Sequence, residues 1–158
     1  MISQRLQKML IEQIGHELAA HQLYMGMSVY FERESLSRWA KLYRSQSIEE
    51  AGHAEKVMQF LIDQNVVFDM PALKSATTRY SSALEVAKAA LASEQRVTGL
   101  FSAMATAARD EQDHTAFEFL QWFIDEQVEE ERKAQSLIDL IESGINLFQA
   151  EPLLDSFE

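Results

Sequence analysis

The sequence predicts an all-α fold: a four-helix bundle of two antiparallel hairpins, a long crossover between them, and a short C-terminal fifth helix. Three observations carry this. Only two prolines and five glycines interrupt 158 residues, and few breakers favour long helices. Apolar residues, 47% of the chain, recur at alternating spacings of three and four in four long segments. The joints between these segments are short, long and short in turn, and short joints make antiparallel neighbours.

The first helix spans about Ser3 to Arg33, and the second about Ser37 to Asn65. A few residues around Glu34–Leu36 join them. The third opens at Ser82, where Ser82 and Glu85 form a capping-box pattern, and runs to about Arg109. The fourth starts near Asp113, an N-cap residue, and ends before Gly144, which suits C′. Between the hairpins lies "VVFDMPALKSATTRYS" with Pro71. Roughly 16 extended residues reach ~50 Å, and a helix of about 28 residues is ~42 Å long. The connection can therefore travel the whole bundle. The bundle occupies about residues 3–143. A short apolar element, about 145–157, carries Ile145, Leu147, Phe148, Leu153, Leu154 and Phe157. These must dock on the bundle or on another subunit, and Pro152 limits any helix there. Residues 1–158 read as one domain.

Charge and composition narrow the function. A formal charge of −11 argues against nucleic acid as a partner. The absence of cysteine excludes disulfides, Cys-ligated zinc and iron–sulfur clusters. Any metal site must use carboxylate, imidazole or amide. The amphipathic start, "MISQRLQKMLIEQIG", is unlike a signal peptide, and no apolar run approaches a membrane span. A cytoplasmic protein without a membrane partner is expected.

The inward stripes carry the chemistry. The first helix gives Leu6, Leu10, Gln13, Glu17, Ala20, Tyr24, Met27 and Phe31; the second gives Trp39, Tyr43, Gln46, Glu50, His53, Val57 and Phe60. The third gives Leu84, Ala87, Leu91, Glu94, Thr98, Phe101, Ala105 and Ala108; the fourth gives Leu120, Phe123, Gln127, Glu130, Ala134, Leu137 and Ile141. Each stripe is broken near its middle by a carboxylate: Glu17, Glu50, Glu94 or Glu130. His53 lies one turn after Glu50, and Gln127 one turn before Glu130. At ~1.5 Å rise per residue, each break lies about 20–25 Å from its short joint, so all four can meet at one level. One Glu on an apolar stripe is commonly a helix-end residue, but four at matching depth are hard to explain that way. Isolated buried carboxylates cost several kcal/mol each. Two cations sharing a bridging carboxylate remove the repulsion, and oxygen-rich ligands with an imidazole suit iron or manganese. Helical bundles with di-iron centres use this arrangement: a Glu from each of two helices and Glu-x-x-His from the others.

Glu17 and Tyr24, "EEAGH" at 49–53, "SEQ" at 93–95 and "FLQWFIDEQVEEE" at 119–131 resemble, in order and spacing, the non-haem bacterial ferritins, over nearly the whole chain. The resemblance implies a ferritin-like bundle and a ferroxidase, oxidising Fe(II) with O₂ or peroxide and storing ferric mineral in a hollow homo-oligomeric cage of twenty-four subunits. It implies that Glu17, Glu50 and His53 hold one iron, that Glu50 bridges to a second held by Glu94 and Glu130, and that Gln127 hydrogen-bonds or ligates weakly beside it. A third iron falls to Glu49, Glu126, Glu129 and Glu130, although Glu129 also reads as part of a solvated charge run. Tyr24 is either a core aromatic or a group that orients a ligand and supplies an electron. Trp122 also matches a family position, with ordinary packing as the alternative. Bacterioferritins carry a second Glu-x-x-His on the last helix and a haem-ligating Met after the helix-two Glu. Here those places hold Glu130 and Ala51, so no haem is expected. His16, His21 and His114 read as surface or packing residues. Two other readings stand beside this one: a dimeric di-iron or di-manganese oxidoreductase that stores no mineral, and a non-catalytic helical scaffold.

Overall fold

The computed structural model describes residues 1–157. Four long helices form the bundle: α1 (Gln4–Arg33), α2 (Ser37–Asp63), α3 (Ala83–Asp110) and α4 (His114–Glu142), followed by α5 (Leu147–Ala150) and a 3₁₀ segment over Glu151–Phe157. No helix among the described residues is long and apolar enough to cross a membrane.

Local chemistry sets the helix ends. Ser3, Ser82 and Asp113 act as N-caps, their side-chain oxygens accepting from Leu6, Glu85 and Ala116 backbone N–H groups at 3.1, 3.1 and 2.9 Å. The capping box is displaced by one residue: the Glu85 carboxylate accepts from the Ser81 N–H and hydroxyl, ahead of the cap itself. The first three helices end on left-handed residues that are not glycine: Ser35, Asn65 and Gln112. Each end is closed by two backbone bonds, as in Leu36 N–H to Phe31 O and Ser35 N–H to Glu32 O. This pairing satisfies the last carbonyls of the helix. Only α4 ends on glycine, with Gly144 at φ +81°.

The core is two apolar clusters with a polar layer between them. One gathers Leu6 and Leu10 of α1, Val57 and Leu61 of α2, Phe101 and Met104 of α3, and Leu120 and Phe123 of α4. The other gathers Tyr24, Met27 and Phe31 with Trp39, Tyr43, Val86, Ala90 and Leu137. The layer between them buries Gln13, Glu17, Gln46, Glu50, His53, Glu94, Gln127 and Glu130.

The inward face of α3 differs from the expected stripe. Leu84, Leu91 and Thr98 are half-buried at the flank, while Ala83, Val86, Ala90, Ser93 and Val97 are buried. Tyr24, Phe31, Trp39 and Tyr43 already fill that end of the core. Small side chains on α3 complement them, and close packing leaves no room for leucines as well.

The crossover runs beside α1, and glycines on α1 make room for it. A Cβ at Gly26 would lie 2.1 Å from the Thr77 carbonyl oxygen, and one at Gly15 would lie 3.1 Å from the Pro71 ring. The close approach is thus by the crossover and not by a neighbouring helix. Gly52 and Gly99 have nothing within 4 Å of an added Cβ.

The tail docks on the bundle. Ala150 and Leu154 are buried in the aromatic cluster, and the Trp39 indole N–H donates to Leu147 O at 2.9 Å. The start of α2 has no side-chain cap at Leu36. The Glu151 carboxylate caps it instead, accepting from Arg38 and Trp39 N–H at 2.5 and 3.2 Å. Arg38 in turn grips both oxygens of Asp155 at 2.8 and 2.9 Å. Phe148 and Leu153 stay exposed.

Candidate metal centre

Each bundle helix delivers one carboxylate to the polar layer, because the ~1.5 Å rise puts residues of equal depth at equal height. Glu17, Glu50, Glu94 and Glu130 are 0%, 1%, 2% and 3% exposed. Two groups of three could each hold a metal ion, with ligand atoms mutually within 4.8 Å: Glu17, Glu50 and His53, and Glu50, Glu94 and Glu130. Glu50 belongs to both, the position a bridging carboxylate needs.

Surrounding amides and hydroxyls orient these carboxylates. Gln13 Nε2 donates to Glu17 Oε1 at 3.1 Å. Gln46 Nε2 donates to Glu50 Oε1 at 3.0 Å and to Glu130 Oε2 at 2.5 Å. The Tyr24 hydroxyl donates to Glu94 Oε1 at 2.5 Å, and Gln127 Nε2 donates to Glu94 Oε2 at 3.1 Å. Glu17 Oε2 is buried with no hydrogen-bond partner. A buried carboxylate oxygen left this way is costly, and a metal ion would satisfy it. His53 Nδ1 lies 3.2 Å from Glu50 Oε2 and 3.9 Å from Glu17 Oε2. Trp122 packs edge-on to the His53 ring, centroids 5.7 Å apart, with Lys56 Nζ 3.8 Å over its own ring.

The electrostatics fit a site built for cations. Burial, then the Glu50 charge, raises Glu17 well above the usual carboxylate range. Burial and the Glu50 charge push Glu94 up to about 8. Burial pushes Glu130 up to about 7 against the opposing pull of the Lys133 ammonium. Burial also acts on Glu50, but its bond to His53 and the imidazolium charge leave it lowered, and His53 is raised in spite of its own burial. Ionised carboxylates here want a positive partner, and a bound metal releases their protons.

Glu49, Glu126, Glu129 and Glu130 border one open cleft of about 640 Å³, together with His53 and Trp122. Two cations reach into this group: Arg132 Nη2 lies 2.5 Å from Glu129 Oε2, and Lys133 Nζ lies 3.6 Å from Glu49 Oε2. His21 accepts or donates at Ser47, 2.7 Å from its hydroxyl, away from the carboxylates.

The Ferritin family model, described as the ferritin-like domain, matches residues 7–143. The chain belongs to the ferritin family. It is 36% identical to a bacterial non-heme ferritin of Staphylococcus epidermidis over 141 residues, covering 89% of this chain and 85% of that one. It is 35% identical to ferritin BfrB of Mycolicibacterium smegmatis, covering 89% and 78%. An open pore ferritin from the archaeon Archaeoglobus fulgidus superposes with a TM-score of 0.93 at 28% identity, covering 98% of both chains.

Within this ferritin, three groups at the site escaped the sequence reading of roles: Gln13, Gln46 and Lys133. A signal existed for the glutamines. Each stands on the inward stripe one turn before a carboxylate, as Gln127 does before Glu130. Lys133 had none, since it lies off the stripe and in a run of charges.

Proposed function

We propose that this ferritin oxidises Fe(II) to Fe(III) at an intrasubunit di-iron centre and stores the ferric product as mineral inside a homo-oligomeric cage of twenty-four subunits in the cytoplasm. The observation that carries the reading is Glu50, shared by two groups of three buried ligands. Glu17, Glu50 and His53 take the first Fe(II); Glu50, Glu94 and Glu130 take the second. Gln127 and Tyr24 hold Glu94. Each Fe(II) gives one electron to O₂, which takes up two protons and leaves as hydrogen peroxide; peroxide itself can serve as oxidant. Carboxylate oxygens favour Fe(III) over Fe(II), which drives the transfer. The second group has no imidazole, so it binds more weakly, in keeping with iron that passes through. A third iron would sit among Glu49, Glu126, Glu129 and Glu130 on the open side. Assembly is supported by the family and by exposed apolar side chains such as Ile48, Val67 and Val128.

Aerobic addition of Fe(II) followed by size exclusion with iron detection tests the whole reading. A large species co-eluting with many irons per subunit is expected. A dimer with about two irons would favour a non-storing oxidoreductase, and oxidation no faster than background would sink both.

A further inference from the structure

Lys133 stands three residues after Glu130, on the face of α4 that borders the carboxylate cleft. Its side chain is only 23% exposed, low for a residue that is almost always at the surface. Its ammonium donates to Gln46 Oε1 at 3.0 Å and lies 3.6 Å from Glu49 Oε2. Both partners belong to α2, so the contact ties the two helices across the cleft. Arg132, by contrast, pairs with Glu129 on its own helix, and both side chains are well exposed. Exposed pairs of that kind are screened and easily released.

We propose that Lys133 is a tethered counter-ion: in the metal-free subunit its ammonium takes the place that a third metal ion would take as the partner of Glu49, so the third ion binds last and least tightly. This rests on the reading of Glu49, Glu126, Glu129 and Glu130 as a metal site. Two consequences follow from the geometry. A multivalent ion among these carboxylates meets a positive charge a few ångströms away and can settle only once the ammonium has swung aside. The flexible four-carbon stem of lysine permits that movement. The ammonium also fixes the amide of Gln46. With its carbonyl on Lys133, that amide turns its NH₂ towards Glu50 and Glu130; reversed, it would face two carboxylates with an oxygen. Displacing Lys133 therefore loosens the clamp on the two carboxylates of the pair, which couples the third site to the centre. Any such coupling is reciprocal.

Calorimetric titration of the metal-free full chain with Zn(II), which is redox-inert, tests this without turnover. Wild type, Lys133→Met and Lys133→Arg are compared, and the third equivalent is assigned by its loss in Glu126→Gln. Wild type and Lys133→Arg should show two strong equivalents per subunit, and Lys133→Met should keep both, somewhat weakened by the loss of the Gln46 tether. The third should bind roughly tenfold more tightly in Lys133→Met, the order expected for removing one nearby, partly screened charge, and as in wild type in Lys133→Arg. The same third affinity in Lys133→Met and wild type, a tightening in Lys133→Arg equal to that in Lys133→Met, or no third equivalent in any protein would overturn the inference and leave the pair intact. Fewer than two strong equivalents in wild type would overturn the metal-centre reading itself, and this inference with it.

Discussion

The Tyr24 hydroxyl donates to Glu94 Oε1 at 2.5 Å, linking α1 to α3 across residues 70 apart in sequence. Both groups are almost fully buried. Burial, then the Glu94 charge, raises the Tyr24 phenol well above its ordinary range, so it stays a donor. Tyr24→Phe leaves Glu94 with Gln127 alone. A hydrogen bond to a charged group contributes ~1.5–3 kcal/mol, so the second ion should bind roughly ten- to a hundredfold more weakly. The first should be unchanged, since Glu17, Glu50 and His53 keep their partners. Zinc titration resolves the two affinities; an equal loss at both, or none, would speak against this orienting role.

Glu50 belongs to both groups of three that could hold a metal ion, and Glu17 to one. Glu50→Ala should abolish both strong sites, whereas Glu17→Ala should remove one and leave Glu50, Glu94 and Glu130 able to bind. Bound zinc per subunit after dialysis gives the count. One site surviving in Glu50→Ala would mean that Glu50 does not bridge.

Stability should depend on pH in a direction unusual for carboxylates. Glu94 and Glu130 titrate at about 8 and about 7 when folded, against 4.5 for an unperturbed group. Between these values the metal-free folded chain holds protons that the unfolded chain has lost, so stability falls as pH rises. The raised His53 acts in the same direction, its contribution fading as pH climbs through its folded value. Glu50, lowered, contributes stability that fades only below this window. The Tm of metal-free protein should therefore drop from pH 5 to pH 8, and saturating Zn(II) should flatten the profile. A metal-free Tm that is level or rising over that span would contradict it.

Two glycines inside helices should respond oppositely to alanine. Gly26→Ala drives a Cβ to 2.1 Å from the Thr77 carbonyl, so the crossover must shift and stability should drop despite the better helix former. Gly52→Ala meets nothing within 4 Å and should stabilise the subunit by up to about 1 kcal/mol. Chemical denaturation of both variants checks the pair; a stabilised Gly26→Ala would show that the crossover does not pin α1.

Much of this was legible in the sequence, and for a definite reason. Helical period assigns each residue a face and the rise per residue assigns it a depth, so Glu17, Glu50, Glu94 and Glu130 could be brought to one level without knowing how the helices pack. The caps at Ser3, Ser82 and Asp113 were local and readable as well. The ends near Ser35, Asn65 and Gln112 were placed to within two residues, but the left-handed turn that closes each was not legible, because no glycine marks it. On α3, Leu84 and Leu91 looked like core residues until the aromatics of α1 and α2 took that volume.

The sequence by itself determined that four helices run in two hairpins, and that four carboxylates, one imidazole and three amides face inward near a shared height. Only the tertiary structure decided that Glu50 stands within reach of both ligand groups, that Gln46 spans Glu50 and Glu130, that Lys133 reaches across to Glu49, and that Glu151 caps α2. Period and rise are properties of one helix. Which side chains touch across the bundle depends on how each helix is rotated about its axis, and the packing of the whole core sets that rotation.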